Sequence, residues 1–357
     1  MNIWIDIAHI PQYNFYKKFI ISLVKNNHSV ILTVLDRGKL FSIVQHELCG
    51  TPNLTIKKIG KHRLNRCSAI IEANIIRLTL LFSFIRNKSI NIAFSNHHQT
   101  SIIAKFFSFK SYTFPDDPQA KIYPLMLKYS DKNHCLVYEY HNVKNKDNVL
   151  PVLKEWAYLS PKEFVPNIEV LKKYGVEPKK YLFLREVTVG TTNYVGQKAG
   201  AILHEVENIN KAYYIENGEK KQMKVLFSLE RKNTANQYPK DWILLQEPIE
   251  DIHSLIYYSA GLVSSGDSMA REAALLGVPS YYLGIRYTMP ANAAASKVAN
   301  LQNQQTMPFE EWIQTIGENP IMAERRQDAL RKQIDKEFID INQYMMDLVT
   351  EVANKNK

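Results

Sequence analysis

Cysteine is scarce in this chain: Cys49, Cys67 and Cys135 are the only three in 357 residues. An odd, scattered set with no C-x-x-C spacing excludes a disulfide framework and a cysteine-based zinc or redox centre. It suits buried small apolar side chains in a reducing compartment. The His-Glu-x-x-His, P-loop and EF-hand patterns are missing, so metal and triphosphate chemistry lack a sequence basis. A Gly-x-Ser-x-Gly nucleophile turn is missing too, which counts against a hydrolase. No internal repeat is visible, which excludes a solenoid. Long uninterrupted apolar runs are also lacking. The most apolar stretch, Ile70 to Ile85, carries Glu72, Asn74 and Arg77 and is short for a bilayer core of about 30 Å. A buried or surface-lying helix is expected there. No basic segment followed by an apolar one opens the sequence, so no signal peptide is expected and the protein should stay in the cytoplasm.

What is present is a long alternation of apolar strand-like runs with helical patterns, the signature of parallel sheets covered by helices. A chain of this length exceeds what one core supports. The expectation is an α/β protein of two Rossmann-like, doubly wound domains facing a central cleft. Residues 1–160 form the first domain and 161–335 the second. A looser stretch from Asn142 to Asn148, followed by Pro151, Pro161 and Pro166, marks the passage between them. The segment Gln327–Val352 places Leu330, Ile334, Phe338, Ile341, Tyr344, Met345 and Leu348 on one stripe. Its end, residues 336–357, is expected either to pack back on the first domain or to cover its own.

Charge is unevenly shared. Met1–Ser160 holds 21 Lys+Arg against 10 Asp+Glu, and subtraction from the totals of 45 and 35 leaves 24 against 25 for the rest. The excess sits in the first half, much of it in Lys57, Lys58, Lys61, Arg63, Arg66, Arg77, Arg86, Lys88, Lys105 and Lys110. Such a face would be drawn to lipid headgroups, nucleic acid or a phosphorylated substrate, or serve only solubility. The stretch lacks the aromatic pattern of a nucleic-acid stacking sheet and any reading helix, so nucleic acid is not expected as a partner.

In open parallel sheets, ligands bind beyond the carboxyl ends of strands. The strongest candidate is the segment from Leu262 to Pro279, where an apolar strand ends in Ser264-Ser265-Gly266 and a helix begins near Asp267, Ser268 and Met269. Gly266 permits a tight turn, and the unpaired N–H groups of the first helical turn would greet a pyrophosphate. Glu272 lies one turn inside, on the side of Ser268, placed to accept hydrogen bonds from two ribose hydroxyls. A Ser-Gly turn before a helix is also plain capping; the whole stretch together favours a nucleotide. Arg185 leaves a strand of the second domain, suited to a leaving diphosphate through bidentate contact or to an ion pair with Glu186 or another acid. Thr192 follows in a loop and is expected to touch sugar or phosphate.

Val263-Ser-Ser-Gly-Asp-Ser-Met-Ala-Arg-Glu-Ala-Ala-Leu-Leu-Gly-Val-Pro279 resembles the matching segment of the family catalogued as domain of unknown function 354. So do Ile3-Trp-Ile-Asp-Ile-Ala-His-Ile-Pro11, Phe114-Pro-Asp-Asp117, Glu155-Trp-Ala-Tyr-Leu159, and Leu184-Arg-Glu-Val187 with Asn193-Tyr-Val-Gly196. The likeness runs in order along nearly the whole chain. That family is similar in fold to glycosyltransferase-B enzymes and to hydrolysing UDP-N-acetylglucosamine 2-epimerases. The resemblance implies an acceptor-binding first lobe, a donor nucleotide held mainly by the second, no metal cofactor, and a place in surface-polysaccharide synthesis. A fold alone does not supply a reaction. The epimerases' Gly-Asp-Thr-type turn is replaced by Ser95-Asn-His-His-Gln-Thr100, and their Glu-Ala-Gly-Leu-Arg element is absent near Thr113–Pro118. Epimerisation is thus the weaker reading.

An inverting transferase needs a base for the acceptor hydroxyl. The candidates are His9 or His98, then Asp117, with Asp6 also at a strand exit; each has a structural alternative in helix capping or turn bracing. The sequence reading is therefore a metal-independent glycosyltransferase. Its donor is a nucleoside-diphosphate sugar, UDP-type favoured, and its acceptor a glycan or lipid-linked molecule. Its basic first lobe would rest on an anionic inner membrane face. A hydrolysing epimerase and a non-catalytic nucleotide or glycan binder are the alternatives.

Overall fold

The computed structural model describes residues 1–63, 65–139, 149–189, 196–246 and 249–355. The chain forms two compact units, Met1–Tyr158 with Phe338–Lys357, and Leu159–Glu337.

The first unit is built on β1 (Asn2–Ile7), β2 (Ser29–Asp36), β3 (Leu54–Lys61), β4 (Ile92–Ser95), β5 (Lys110–Thr113) and β6 (Lys132–Asn133). They make one sheet in the order β3-β2-β1-β4-β5-β6, every pairing parallel. Strands covered on both faces read as continuous apolar runs, which is why Ile3, Trp4, Ile5 and Ile7 are all buried. Helix Ile10–Lys25 starts with a proline in its first turn and buries Tyr13, Phe15, Tyr16, Phe19, Ile20 and Leu23. Helix Ile341–Lys355 packs on it. Asn342 donates to the Ala157 carbonyl at 2.8 Å and Lys132 meets Glu351 at 2.9 Å, anchoring that helix in this unit.

The second unit carries β7 (Tyr181–Glu186), β10 (Lys224–Leu229), β11 (Ile243–Leu244), β12 (Gly261–Ser264), β13 (Ser280–Tyr282) and β14 (Leu301–Asn303). Their order is β11-β10-β7-β12-β13-β14, again all parallel. An antiparallel hairpin of β8 (Tyr213–Glu216) and β9 (Glu219–Gln222) stands apart from it. Numbered within each unit, both sheets have the 3-2-1-4-5-6 order of a doubly wound nucleotide fold, with the strand order reversing between β1 and β4 and between β7 and β12.

The apolar stripe of Gln327–Val352 is carried by two helices, Pro320–Glu337 and Ile341–Lys355, which break where Phe338 turns in against Trp156 and Tyr138. Gly200 takes φ +75°, and the short helical turns Leu203–Glu205 and Val206–Ile209 follow it. Past β6 the chain forms isolated bridges from Cys135 to Val149 and from Val137 to Leu153. Cys135 is buried as expected, whereas Cys49 and Cys67 are exposed. The looser passage, Asn142–Asn148, lies outside the described residues.

Candidate functional site

In the second unit the turn 264–268 leaves β12 at the point where the strand order reverses. The Ser264 carbonyl accepts from Leu283 N–H at 2.9 Å. Its hydroxyl donates to the Gly266 carbonyl at 2.7 Å and accepts from Gly266 N–H at 3.0 Å. The Ser265 hydroxyl accepts from Val187 N–H at 2.9 Å, and its carbonyl from the Gln197 amide at 2.8 Å. Both serine side chains are fully buried and brace the turn. Helix Asp267–Leu275 begins here with Gly266 as its N-cap in extended backbone and no side-chain cap. The early amides of a helix have no intrahelical partner, and the helix dipole adds positive potential at that end. Ser268 and Met269 are partly exposed at this mouth.

Asp267 is buried within the same turn, its carboxylate 3.0 Å from Arg286 and 3.6 Å from Arg271. Arg271 is fully enclosed and donates to Asn292 at 2.6 Å. Asn292 in turn holds the Arg286 carbonyl at 2.6 Å. One carboxylate is thus shared by two guanidiniums beside the uncapped helix start. Arg286, a cation at the helix mouth, escaped the sequence reading because only the fold returns the segment after β13 to the turn after β12. Glu272, one turn inside, is buried with His253 Nε2 3.5 Å from its carboxylate.

Arg185 points elsewhere than expected. It donates to Ser228 at 2.7 Å and to Glu230 at 2.5 Å. Glu186 alternates to the other face of the sheet, where Ile202 N–H meets it at 2.8 Å and burial pushes its carboxyl up. The ion pair is thus with Glu230, not Glu186, and it neutralises much of the charge assigned to a leaving diphosphate. Thr192 lies outside the described residues.

At the reversal point of the first sheet, Asp6 is fully buried. Arg77 holds both its oxygens, at 2.7 and 3.0 Å, and His97 Nε2 lies 2.9 Å away. The Thr33 hydroxyl donates to it as well, and Trp4 Nε1 donates to Thr33 at 2.8 Å. A carboxylate so enclosed positions its neighbours; the expectation of Asp6 as a base is corrected. His9 is the N-cap residue of helix Ile10–Lys25, its imidazole against Arg37. Burial, with Arg37 and Lys154 adding repulsion, pushes its pKa down to about 3. His98, buried at the start of helix Gln99–Phe107, contacts Asn74 Oδ1 at 3.0 Å, and burial and Arg77 push it to about 4. Both imidazoles are neutral near pH 7; the His9 Nε2 lone pair accepts from the Arg37 guanidinium, while His98 donates from Nε2 to Asn74 Oδ1 and keeps its lone pair on a buried Nδ1 with no hydrogen-bond partner among the described residues. Asp117 is half-buried and accepts from Gln119 N–H at 3.0 Å; the adjacent Asp116 pairs with Lys154. Among the described residues, no three of His, Cys, Asp and Glu are grouped as a metal site requires.

No curated protein sequence matches the chain. Among solved structures, MnaA of S. aureus with UDP is similar at TM-score 0.66 and 12% identity, covering 99% of this chain and 97% of that one. UDP-GlcNAc 2-epimerase of Neisseria meningitidis bound to UDP-GlcNAc follows at TM-score 0.63 and 11% identity, covering 99% and 100%. The glycosyltransferase VinC in complex with dTDP gives 0.64 at 12% identity, again covering 99% and 100%. Identities this low establish fold alone. Residues 1–105 match the family model described as protein of unknown function (DUF354), and the two Rossmann-like units give the chain the fold shared by GT-B glycosyltransferases and UDP-GlcNAc 2-epimerases.

Proposed function

We propose that the chain transfers a sugar, with inversion, from a nucleoside-diphosphate sugar to a glycan or lipid-linked acceptor, in the cytoplasm and in the service of surface-polysaccharide synthesis. The observation that carries this reading is the uncapped start of helix Asp267–Leu275 at the reversal point of a parallel sheet, with the Arg286 guanidinium beside it. A diphosphate there meets backbone amides, the helix dipole and Arg286. Those groups stabilise the charge that grows as the sugar C1–O bond breaks, without a metal. Glu272 holds the ribose. The acceptor hydroxyl gives its proton to His98 or His9 as it attacks C1. UDP is the favoured nucleotide, because two of the three structural relatives above were solved with UDP or UDP-GlcNAc.

Calorimetry with UDP, dTDP and GDP tests the reading. Glu272→Gln keeps the volume of the side chain and removes its charge, and is expected to weaken nucleotide binding by about tenfold, the loss of one charge-assisted hydrogen bond. Unchanged affinity in this variant would refute the assignment. The likeness to the epimerases favours a second reading, in which free UDP and a rearranged sugar appear with no acceptor present. Product analysis with and without acceptor separates the two, and saturable binding with no turnover would leave only a binder.

A further inference from the structure

The apolar stretch in the first unit folds as helix Arg66–Ile71, a π-turn Glu72–Ile76 and helix Arg77–Ile85. Cys67–Ile85 is long and apolar enough to cross a bilayer by length and composition, yet only 22% of its most apolar window is buried. Its two charged residues point inward. Glu72 is 4% exposed and Arg77 2%. Glu72 accepts from Lys61 N–H at 2.9 Å and pairs with Arg63 at 3.1 Å. Arg77 is committed to Asp6 and to the Ile59 carbonyl.

The π-turn makes this possible. In an α-helix, residues five apart lie about 140° apart around the axis. Here the Arg77 N–H bonds the Glu72 carbonyl, and the wider turn carries residue 77 back beneath residue 72. Among the described residues from Cys67 to Ile85, the outward face therefore carries no charge. It presents Ile70, Ile71, Ile75, Ile76 and Leu80, with the uncharged Asn74, Thr79 and Ser83 between them. Phe106, 69% exposed, extends the face through its ring contact with Phe82. These are six of the thirteen large apolar side chains exposed among the described residues, so the patch is not the scatter of single apolar residues normal for a surface.

The chain around the patch is cationic. From Arg37 to Pro115 there are 12 Lys and Arg against Glu47 and Glu72; of these cations, Arg77 is buried on Asp6, Lys58 pairs with Asp36, and Lys105 and Lys110 share Asp131. Exposed Lys61 and Arg63 flank the patch beside Glu72, Arg86 and Lys88 close its other end, and Lys105 stands next to Phe106. A second copy of the chain docked face to face would bring like charges together around the rim. An anionic bilayer meets both features: apolar side chains enter the acyl boundary while the cations meet phosphate headgroups.

We infer that this face is a membrane-docking surface, on which helix segment 66–85 and Phe106 lie in the headgroup plane of an anionic bilayer. It does not span. Crossing would require Glu72 and Arg77 to leave their buried partners and enter hydrocarbon. The inference gives the proposed lipid-linked acceptor a surface on which to be met, and it stands independently of nucleotide binding.

Flotation of the full chain with phosphatidylcholine vesicles, with and without 30 mole per cent phosphatidylglycerol (about that fraction giving a strongly anionic surface), tests it without nucleotide. The expected result is binding to the anionic vesicles, weakened by salt. Ile75→Glu with Leu80→Glu is expected to reduce it at least about tenfold. Arg86→Ser with Lys88→Ser should cost roughly fivefold per cation on anionic vesicles only. All four positions are exposed, so circular dichroism and melting should match the parent. Absence of vesicle binding, equal binding by the Glu variant, or a concentration-dependent dimer in sedimentation that the Glu variant abolishes would each overturn the inference. UDP titration of the same variants should be unaltered, which separates failure here from failure of the proposed reaction.

Discussion

The Asp6–Arg77 pair offers a test with a magnitude and a sign. Arg77→Met keeps the aliphatic stem that packs against Gly60 and removes the guanidinium. Asp6 is then left fully buried with only Thr33 and His97, and the Ile59 carbonyl loses its donor. Removing one partner of a buried ion pair costs about 3–5 kcal/mol, because the other charge stays in low dielectric without compensation. The pH dependence identifies the cause. Burial pushes the Asp6 carboxyl up and Arg77 is the main force pulling it down. Burial already holds the folded pKa above the unfolded value of about 3.9 with Arg77 in place, and without Arg77 it rises further. Between those two values the folded variant holds a proton that the unfolded chain has shed, so stability falls as pH rises through that window. The deficit is greatest near neutral pH and narrows as Asp6 is protonated.

Denaturant titrations, with amide exchange followed in peptides covering β1, read the stability of this unit alone. Asp6→Asn combined with Arg77→Met should be more stable than Arg77→Met at pH 7, since the lone buried charge is gone. A deficit below about 1 kcal/mol would refute the reasoning, since surface pairs are worth no more than that. So would a deficit independent of pH, or simple additivity in the double variant.

His98 and His9 give the opposite pH dependence. Both are pushed well below the ordinary imidazole value, so the unfolded state gains protons first as pH falls below about 6.5, and stability should drop at roughly 1.4 kcal/mol per pH unit per histidine. His98→Gln should flatten that slope in the same titration. Gly277 lies at φ +75° just after helix Asp267–Leu275, with Gly277 N–H bonded to Ala274 and Val278 N–H to Ala273, a Schellman stop. A Cβ there would lie 2.7 Å from the Gln327 carbonyl. Gly277→Ala should therefore destabilise the second unit by about 1–3 kcal/mol in thermal melts, and a neutral result would show that the helix Pro320–Glu337 yields easily.

Much of the sheet architecture was legible because a strand covered on both faces has to be apolar along its length; β1, β2, β4, β7 and β12 each read that way. β14 did not, since Leu301-Gln302-Asn303 is three residues with one apolar side chain. The hairpin β8–β9 is signalled by Asn217 and Gly218, which take φ +55° and +81°, the pair that a two-residue hairpin turn prefers. The helix mouth at Gly266–Ser268 was legible from a strand, a glycine and a run of helix formers. Its charge partners were not. Arg286 reaches Asp267, and Arg185 chooses Glu230 over its neighbour Glu186, only because the fold juxtaposes residues 19 and 45 apart in sequence. Periodicity likewise gives no hint of a π-turn, since five residues of Glu-Ala-Asn-Ile-Ile suit an α-turn as well.

That π-turn links the two ends of the argument. Asp6 sits at the end of β1, where the first sheet opens toward its candidate base residues, and its partner Arg77 is the residue the π-turn swings inward. Were the segment a regular α-helix keeping Arg77 on Asp6, Glu72 would rotate out by about 140° and lose Arg63 and the Lys61 amide. A carboxylate would then stand among Ile71, Ile75 and Ile76. An anionic bilayer would repel that face, and water would hydrate it. The two inward ion pairs thus do one thing together: they keep Glu72 and Arg77 off the outer face, as the proposed docking requires. Glu72→Gln is then expected to weaken the Arg63 contact and lower stability slightly while leaving vesicle binding intact. Loss of vesicle binding in that variant would mean that the inward pairing, and not the apolar face, holds the membrane.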